Sequence, residues 1–387
     1  MIPLCEPVLA GREWDYVKQC LDSGWVSSVG AFVDRFEAEF AQALSVRHAV
    51  AMTSGTAALH IALLVAGVAA DDEVLIPALT FIAPANAIRY CNAWPVFVDI
   101  DPVTWQIDAA QVRRFLEDDC ARVDGVLRNR VSGRRVKALL PVHLLGHPCA
   151  MNELAALAET HGLALVEDAT ESLGARIHGR SVGSFGQSAC FSFNGNKLLT
   201  TGSGGMLVTD DEAVARRARY LSTQAKDSAE YRHDAIGFNY RLTNVQAAMG
   251  CAQLELLTAK LAAKRQIAER YRRELAEPLG LDMLWEAEGC VSALWLSTIL
   301  LPQGWSAAAR GALRQELCDS GIETRPLWLP IPYDPPYAGA QVLGGAVFDD
   351  VWTRALSLPS SCNLTTEQQE MVIAAVTLGI ERGPAMH

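Results

Sequence analysis

The sequence predicts an α/β protein with a mainly parallel central sheet covered by helices on both faces, followed by a smaller α+β C-terminal domain. Three observations carry this. Short apolar runs alternate with helix-like stretches through the first part of the chain. Those runs lack the apolar–polar alternation of a sheet with one wet face, so their strands are expected to be buried on both sides. From Asn244 the pattern changes to one long amphipathic helix, which divides a large domain over 1–243 from a small one over 244–387.

Taken in order, residues 11–24 read as a helix, and Gly24-Trp-Val-Ser27-Ser28-Val-Gly30 as a loop leading into a second helix with Val33, Phe36 and Phe40 at helical spacing. Val50-Ala-Met-Thr-Ser54-Gly55-Thr56 then opens an alanine-rich helix. Free N–H groups and the positive end of the helix dipole make such a turn a seat for phosphate, while a serine there also serves as an ordinary N-cap. Strands are expected over 73–79, 95–99, 136–142, 163–167, 189–193 and 205–208, with helices near 83–91, 108–120, 150–161 and 211–222 between many of them. Phe81 directly follows the first of these strands, where it suits either the face of an aromatic ligand or the core. Residues 117–137 form a polar, glycine-broken insertion. Its Arg128, Arg130, Arg134 and Arg135 read as a solvated loop more readily than as contacts to a phosphorylated ligand. The helix from Asn244 carries Leu254, Leu257, Leu261, Ala268 and Tyr271 on one side, with Lys260, Lys264, Arg265 and Glu269 elsewhere. It is expected to run about 30 residues, to near Glu274, and so to link two lobes. A strand around 295–301, a helix over 307–320 and a terminal helix from Thr365 complete the small domain.

The chemistry gathers at Phe191-Ser-Phe-Asn-Gly-Asn-Lys197, followed by Leu-Leu-Thr-Thr-Gly202-Ser-Gly204-Gly205. A lysine between a short β run and a glycine-rich turn stands where the backbone bends sharply and a small molecule can approach closely. Upstream, the strand over 163–167 runs into Asp168, and strand carboxyl ends in an α/β sheet face the ligand crevice. Singly, each has a plainer reading: a surface lysine and a helix-capping aspartate. Together they point to pyridoxal 5′-phosphate (PLP), with Lys197 forming a Schiff base and Asp168 pairing with the pyridinium nitrogen, whose pKa an anionic neighbour raises.

Other classes are excluded or disfavoured. A net charge of −11 argues against a nucleic-acid surface. The ten cysteines are scattered, the nearest pair being Cys5 and Cys20, so no metal spacing exists and reduced thiols in a cytosolic protein are expected. The N-terminus has neither a basic nor an apolar signal region, and the longest apolar run, over 57–70, is too short to span a bilayer and carries His60. No membrane partner is expected.

With these residues in place, the sequence resembles the DegT/DnrJ/EryC1/StrS family of PLP-dependent nucleotide-sugar aminotransferases over nearly its whole length. The carriers are Ser54-Gly-Thr, Leu79-Thr-Phe81-Ile-Ala-Pro-Ala-Asn86, Pro95-Val-Phe-Val-Asp-Ile-Asp, Pro141-Val-His-Leu-Leu-Gly-His-Pro, Val166-Glu-Asp168-Ala-Thr-Glu171, Phe191 to Lys197, Gly202-Ser-Gly-Gly and Gly237-Phe-Asn239-Tyr-Arg241-Leu-Thr-Asn-Val-Gln246. The resemblance implies an aspartate aminotransferase-like fold (PLP fold type I) and a cytoplasmic homodimer with shared active sites. It assigns Lys197 and Asp168 as above, Phe81 to stacking on the ring, and Ser54, Gly55, Thr56 and Ser192 to the phosphate. Glu171 stands near the cofactor's 3-hydroxyl, and Asn239 reaches the phosphate of the neighbouring subunit's cofactor. Substrate contacts are expected at Ser27, Ser28, Asn194, Arg241, Arg325 and Trp328.

The Phe-Asn-Gly-Asn-Lys form, with the Ser27-Ser-Val-Gly-Ala-Phe-Val-Asp-Arg-Phe-Glu start, looks similar to the branch that aminates C4 of UDP-linked 4-keto-6-deoxy-N-acetylhexosamines, as in legionaminic acid and bacillosamine pathways. Glutamate is the expected amino donor and a surface polysaccharide or glycan the expected destination. Alternatives are a C3 aminotransferase, a GDP- or dTDP-sugar enzyme of the same family, and a non-catalytic PLP-fold regulator. A relative that removes a hydroxyl carries histidine in place of the lysine, and Lys197 counts against it. Two departures are visible. Glu171 replaces the family's common glutamine, and Leu329-Pro-Ile-Pro-Tyr-Asp-Pro-Pro-Tyr337 lacks the histidine often found before its Pro-x-Tyr.

Overall fold

The computed structural model describes residues 1–226 and 230–383; the end of the expected small domain, 384–387, lies outside the described residues. Its centre is an eight-stranded sheet built from β1 (His48–Met52), β2 (Glu73–Pro77), β3 (Trp94–Val98), β4 (Val136–Leu139), β5 (Ala164–Asp168), β6 (Ser188–Ser192), β7 (Gly205–Thr209) and, from far along the chain, β10 (Val342–Leu343). The strand order is β1-β7-β6-β5-β4-β2-β3-β10. All neighbours are parallel except β7, which runs antiparallel to both β1 and β6.

The uniform apolarity of these strands has a direct cause in packing. Along β2, Leu75 enters one hydrophobic cluster while Val74 and Ile76 enter another, and Phe191 and Cys190 of β6 part in the same way. Helices α2 (Ala31–Leu44), α6 (Met151–His161) and α8 (Asn244–Glu255) cover the first face; α3 (Gly55–Val65), α4 (Ala83–Tyr90) and α7 (Glu212–Ser222) cover the second. A strand buried on both sides has no position where a polar side chain is free of cost.

The small lobe is a three-stranded antiparallel sheet in which β11 (Ala355–Leu358) lies between β8 (Ser297–Leu300) and β9 (Arg325–Pro326), packed by α10 (Ala307–Asp319) and α12 (Thr366–Glu381). The single expected division at 243/244 is crossed twice. Ile2 bridges Ile322 and belongs to the small lobe's core, while β10 returns to edge the large sheet beside β3. Asp99 secures the second crossing: its carboxylate accepts the N–H groups of Gly345, Val347 and Phe348 at the start of α11 (Ala346–Arg354).

The expected long helix breaks at Leu256 (φ −98°, ψ 1°) into α8, opened by a Thr243–Gln246 capping box, and α9 (Leu257–Tyr271), which continues through a π-helical turn over Arg272–Ala276. Lys260 and Lys264, expected away from the apolar side, are in fact buried. Lys260 Nζ donates to the carbonyls of Val8 (3.2 Å) and Leu198 (3.4 Å), and Lys264 Nζ to that of Trp295 (2.7 Å). Buried ammonium groups here tie the crossing helix to both lobes.

The 117–137 insertion folds as a hairpin, Cys120–Val123 against Val126–Asn129, instead of a loop. Its arginines are engaged locally: Arg128 with the Gly133 carbonyl, Arg130 with that of Cys120, Arg134 over the Trp94 ring, Arg135 with Asp72. No helix among the described residues is long and apolar enough to cross a membrane. Nor does any group of three or more His, Cys, Asp or Glu there have metal-holding geometry.

Candidate active site

A cavity of about 360 Å³ opens beyond the carboxyl ends of β2, β5 and β6, between the two lobes. Ligands gather at this edge of α/β sheets because the loops that leave the strands there can vary without disturbing the core. Eleven expected site residues line it: Ser54, Gly55, Thr56, Phe81, Asp168, Glu171, Ser192, Asn194, Lys197, Arg325 and Trp328.

Lys197 sits just past β6, its N–H closing a turn onto the Asn194 carbonyl at 3.0 Å. Its Nζ lies 3.2 Å from Glu171 Oε1 and 3.9 Å from the centroid of the Trp295 ring. Glu171 Oε2 in turn accepts the Leu145 N–H at 2.8 Å. Burial pushes the Glu171 carboxyl up, and the Lys197 ammonium opposes that shift.

Asp168 ends β5 at 2% exposure, its main chain held on both sides by Pro141 O (2.9 Å) and His143 N–H (3.0 Å). Oδ1 accepts the Thr170 N–H at 3.0 Å. Among the described residues no basic side chain lies within 4.0 Å of this carboxylate, so burial raises its pKa above the ordinary value, against smaller opposing effects of Thr170 and Lys197. A buried carboxylate facing a cavity without a paired cation fits a ligand that brings its own positive charge.

The start of α3 fits an anion. Ser54 Oγ accepts the Ala57 N–H at 3.1 Å as N-cap, which leaves the N–H groups of Gly55 and Thr56 without a protein acceptor among the described residues. The glycines here are required by closeness: a Cβ on Gly55 would stand 2.9 Å from Ser192 Cβ, and one on Gly205 2.4 Å from Ser54 O. The cap and phosphate-seat readings are therefore compatible, since different N–H groups serve each. Phe81 is 50% exposed, which removes the core reading, and it meets Trp328 edge-on at 6.0 Å. An amine, a buried uncompensated carboxylate, a half-exposed ring and an N–H cradle on one cavity fit PLP.

Four expected residues do not line this cavity. Ser27 is exposed and Ser28 half-buried in the loop before α2, and Asn239 is exposed where it bridges Thr223. Arg241 is corrected as a substrate cation in its own chain: it is 9% exposed, with its guanidinium 2.9 Å from Glu37 Oε1 and donating to Ala51 O at 3.0 Å. Conversely, Cys5, Leu145, Thr170, Asn196 and Trp295 line the cavity unforeseen. Asn196 and Thr170 could have been found from their motifs; Trp295, in the small lobe, had no local signal.

The sequence matches the DegT/DnrJ/EryC1/StrS aminotransferase family over residues 7–377. It is 39% identical over 378 residues to GDP-perosamine synthase of Caulobacter vibrioides, covering 97% of each chain. It is also 39% identical over 377 residues to the putative pyridoxal phosphate-dependent aminotransferase EpsN of Bacillus subtilis, covering 96% of this chain and 94% of the other. The fold superposes on the aminotransferase TlmJ from Streptoalloteichus hindustanus with a TM-score of 0.89, at 29% identity and 99% coverage of both chains.

Proposed function

The chain belongs to the DegT/DnrJ/EryC1/StrS aminotransferase family, a PLP-dependent class acting on nucleotide sugars, and from that membership we propose that it moves an amino group from glutamate to the C4 keto carbon of a nucleotide-linked 4-keto-6-deoxy sugar, for a surface polysaccharide or other glycan. The observation that carries the reading is the convergence of Lys197, Asp168 and the open N-terminus of α3 on one cavity. When bound, PLP supplies an electrophilic carbon and an electron sink. The protein's residues do the rest. Asp168 holds the proton on the ring nitrogen, the Gly55 and Thr56 N–H groups with the Ser192 hydroxyl bind the phosphate, and Phe81 supports the ring. Lys197 Nζ takes and returns a proton at the substrate carbon.

The nucleotide is a finer matter. The relative from C. vibrioides is named for GDP-perosamine, which favours a GDP sugar; the Phe191–Lys197 form favours UDP-4-keto-6-deoxy-N-acetylhexosamine as the second reading. Incubating the enzyme with glutamate and each of the GDP-, UDP- and dTDP-linked 4-keto-6-deoxy sugars, with product read by mass, separates them. The GDP sugar is expected to lead by about tenfold or more in kcat/KM, roughly 1.4 kcal/mol. A lead for the UDP sugar reverses the nucleotide assignment, and no amination of any of them removes the substrate class.

A diphosphate needs local cations, because the protein's charge of −11 repels it at long range. Lys197 and Arg325 are the basic side chains lining the cavity among the described residues. Arg325 pairs with Glu323 at 2.8 Å but its side chain is 59% exposed, and an exposed pair of this kind is worth at most about 1 kcal/mol, so the guanidinium is free to turn. Arg325→Met is expected to raise KM for the sugar nucleotide about tenfold and leave that for glutamate unchanged. Equal movement of both KM values excludes a diphosphate contact.

We read the active unit as a homodimer. Asn239, Ser27 and Ser28 stand away from their own cavity, and the same two loops expose Trp25 (58%), Val29 (67%) and Ile236 (86%), apolar surface suited to a second copy. Mixing Lys197→Ala chains with Asn239→Asp chains is then expected to restore part of the lost activity, through heterodimers having one site with both native residues. No complementation, with subunit exchange demonstrated, returns Asn239 to its own chain.

A further inference from the structure

Two side chains meet the Lys197 amine, and one residue holds them both. The Leu145 N–H donates to Glu171 Oε2 at 2.8 Å, and the Leu145 carbonyl accepts the Trp295 N–H at 3.1 Å. Leu145 sits at φ 57°, a left-handed conformation costly for a branched side chain. The next residue, Gly146 (φ 89°), has no room for a Cβ, which would stand 2.9 Å from Glu171 O and 3.1 Å from Trp295 N. The Leu145 main chain thus ties both partners of the lysine to one tightly packed turn.

Trp295 is further fixed on every side. It is 3% exposed, its indole N–H donates to Asn196 O at 2.8 Å, and its carbonyl accepts from Lys264 Nζ at 2.7 Å. Trp328 stacks on it with an interplanar angle of 8° and centroids 6.4 Å apart. The ring held in this way has its centroid 3.9 Å from Lys197 Nζ. An aromatic face attracts an ammonium ion, and desolvation strengthens that attraction.

We propose that Trp295 is a positioning residue for Lys197, an immobile cation–π seat that, with Glu171, holds the lysine side chain at one place in the cavity whenever it is not covalently engaged. The seat keeps the amine where it can take and return a proton at the substrate carbon. This deepens the reading of Lys197 as the reactive amine and rests on it.

The test replaces Trp295 site-specifically with tryptophans carrying one to three ring fluorines, which draw electron density from the face at nearly constant volume. In cofactor-free protein, acetylation of Lys197 by acetic anhydride, read by peptide mass relative to exposed Lys18, is expected to rise severalfold across the series, because a weakened seat releases the side chain toward the reagent. Trp295→Phe should fall between wild type and Trp295→Leu. In PLP-loaded protein kcat is expected to fall with each fluorine while KM for the sugar nucleotide stays constant. A flat acetylation series at unchanged thermal midpoint overturns the proposal, and the fluorinated set decides the matter even should the leucine variant fail to fold. Borohydride fixation of PLP on wild-type Lys197 is a separate arm: its failure overturns the role of the lysine itself, whereas the acetylation series reports on the seat alone.

Discussion

Lys197→Ala is expected to abolish turnover, lowering kcat by roughly four orders of magnitude or more, as loss of a covalent and proton-transferring group does. Among the described residues no other lysine is placed to substitute. Lys260 and Lys264 are buried behind the site with their ammonium groups committed to main-chain carbonyls, and neither lines the cavity. The variant should still fold. Its loss leaves Glu171 without its cation, and since burial already pushes that carboxyl up, Glu171 can take a proton and remain buried as a neutral acid. PLP should still bind through the α3 N-terminus and Asp168, with its absorbance present but no longer fixed to protein by borohydride. A variant that keeps the wild-type rate would remove the chemistry proposed for this cavity.

Asp168→Asn is expected to cost about 10² or more in kcat, because an adjacent opposite charge shifts a pKa by about 1–3 units and the ring nitrogen would lose that support. The side-chain volume hardly changes, and an asparagine oxygen can still accept the Thr170 N–H that Oδ1 accepts at 3.0 Å. Stability should move the other way in cofactor-free protein. The folded-state pKa of Asp168 is raised by burial, so at pH values just above the ordinary carboxylate range the folded state binds more protons than the unfolded one, and stability falls as pH rises through that window. Asparagine, having no proton to lose, should flatten this slope. Urea unfolding of both proteins at several pH values measures it, alongside single-turnover amination with PLP bound. Unchanged turnover would show that another group holds the ring nitrogen, and an unchanged slope would show that Asp168 does not titrate in folding.

Much of this is legible in the sequence wherever the signal is local. Strand interiors such as Val74-Leu75-Ile76 carry their two-sided burial in composition, and Ser54-Gly-Thr before an alanine-rich helix carries the observed cap together with the proposed anion seat. Lys197 and Asp168, which the structure brings to one cavity, stand out in the sequence because glycines and strand ends mark where a backbone can approach a ligand. Strand β1 was missed, since its short run over Ala49–Met52 reads as the approach to the N-cap of α3. Lys260 and Lys264 were placed outside because charge alone does not say that a main-chain carbonyl waits in the interior.

Determined by the sequence itself were the α/β class and the family, and the amine, carboxylate and phosphate seat proposed for the cavity are likewise read from it, since each rests on residues within a few positions of one another along the chain. Only the tertiary structure decided the company they keep. Trp295 and Asn196 are 99 positions apart yet 2.8 Å from donor to acceptor. Arg241 is drawn off to Glu37, 204 positions away, leaving Arg325 to face the cavity. The first pairing follows from how the small lobe closes on the ends of β5 and β6 and the second from how α2 packs within the large lobe, and no local pattern records either because the energy of a buried cation or a stacked ring depends on partners that the chain supplies from elsewhere.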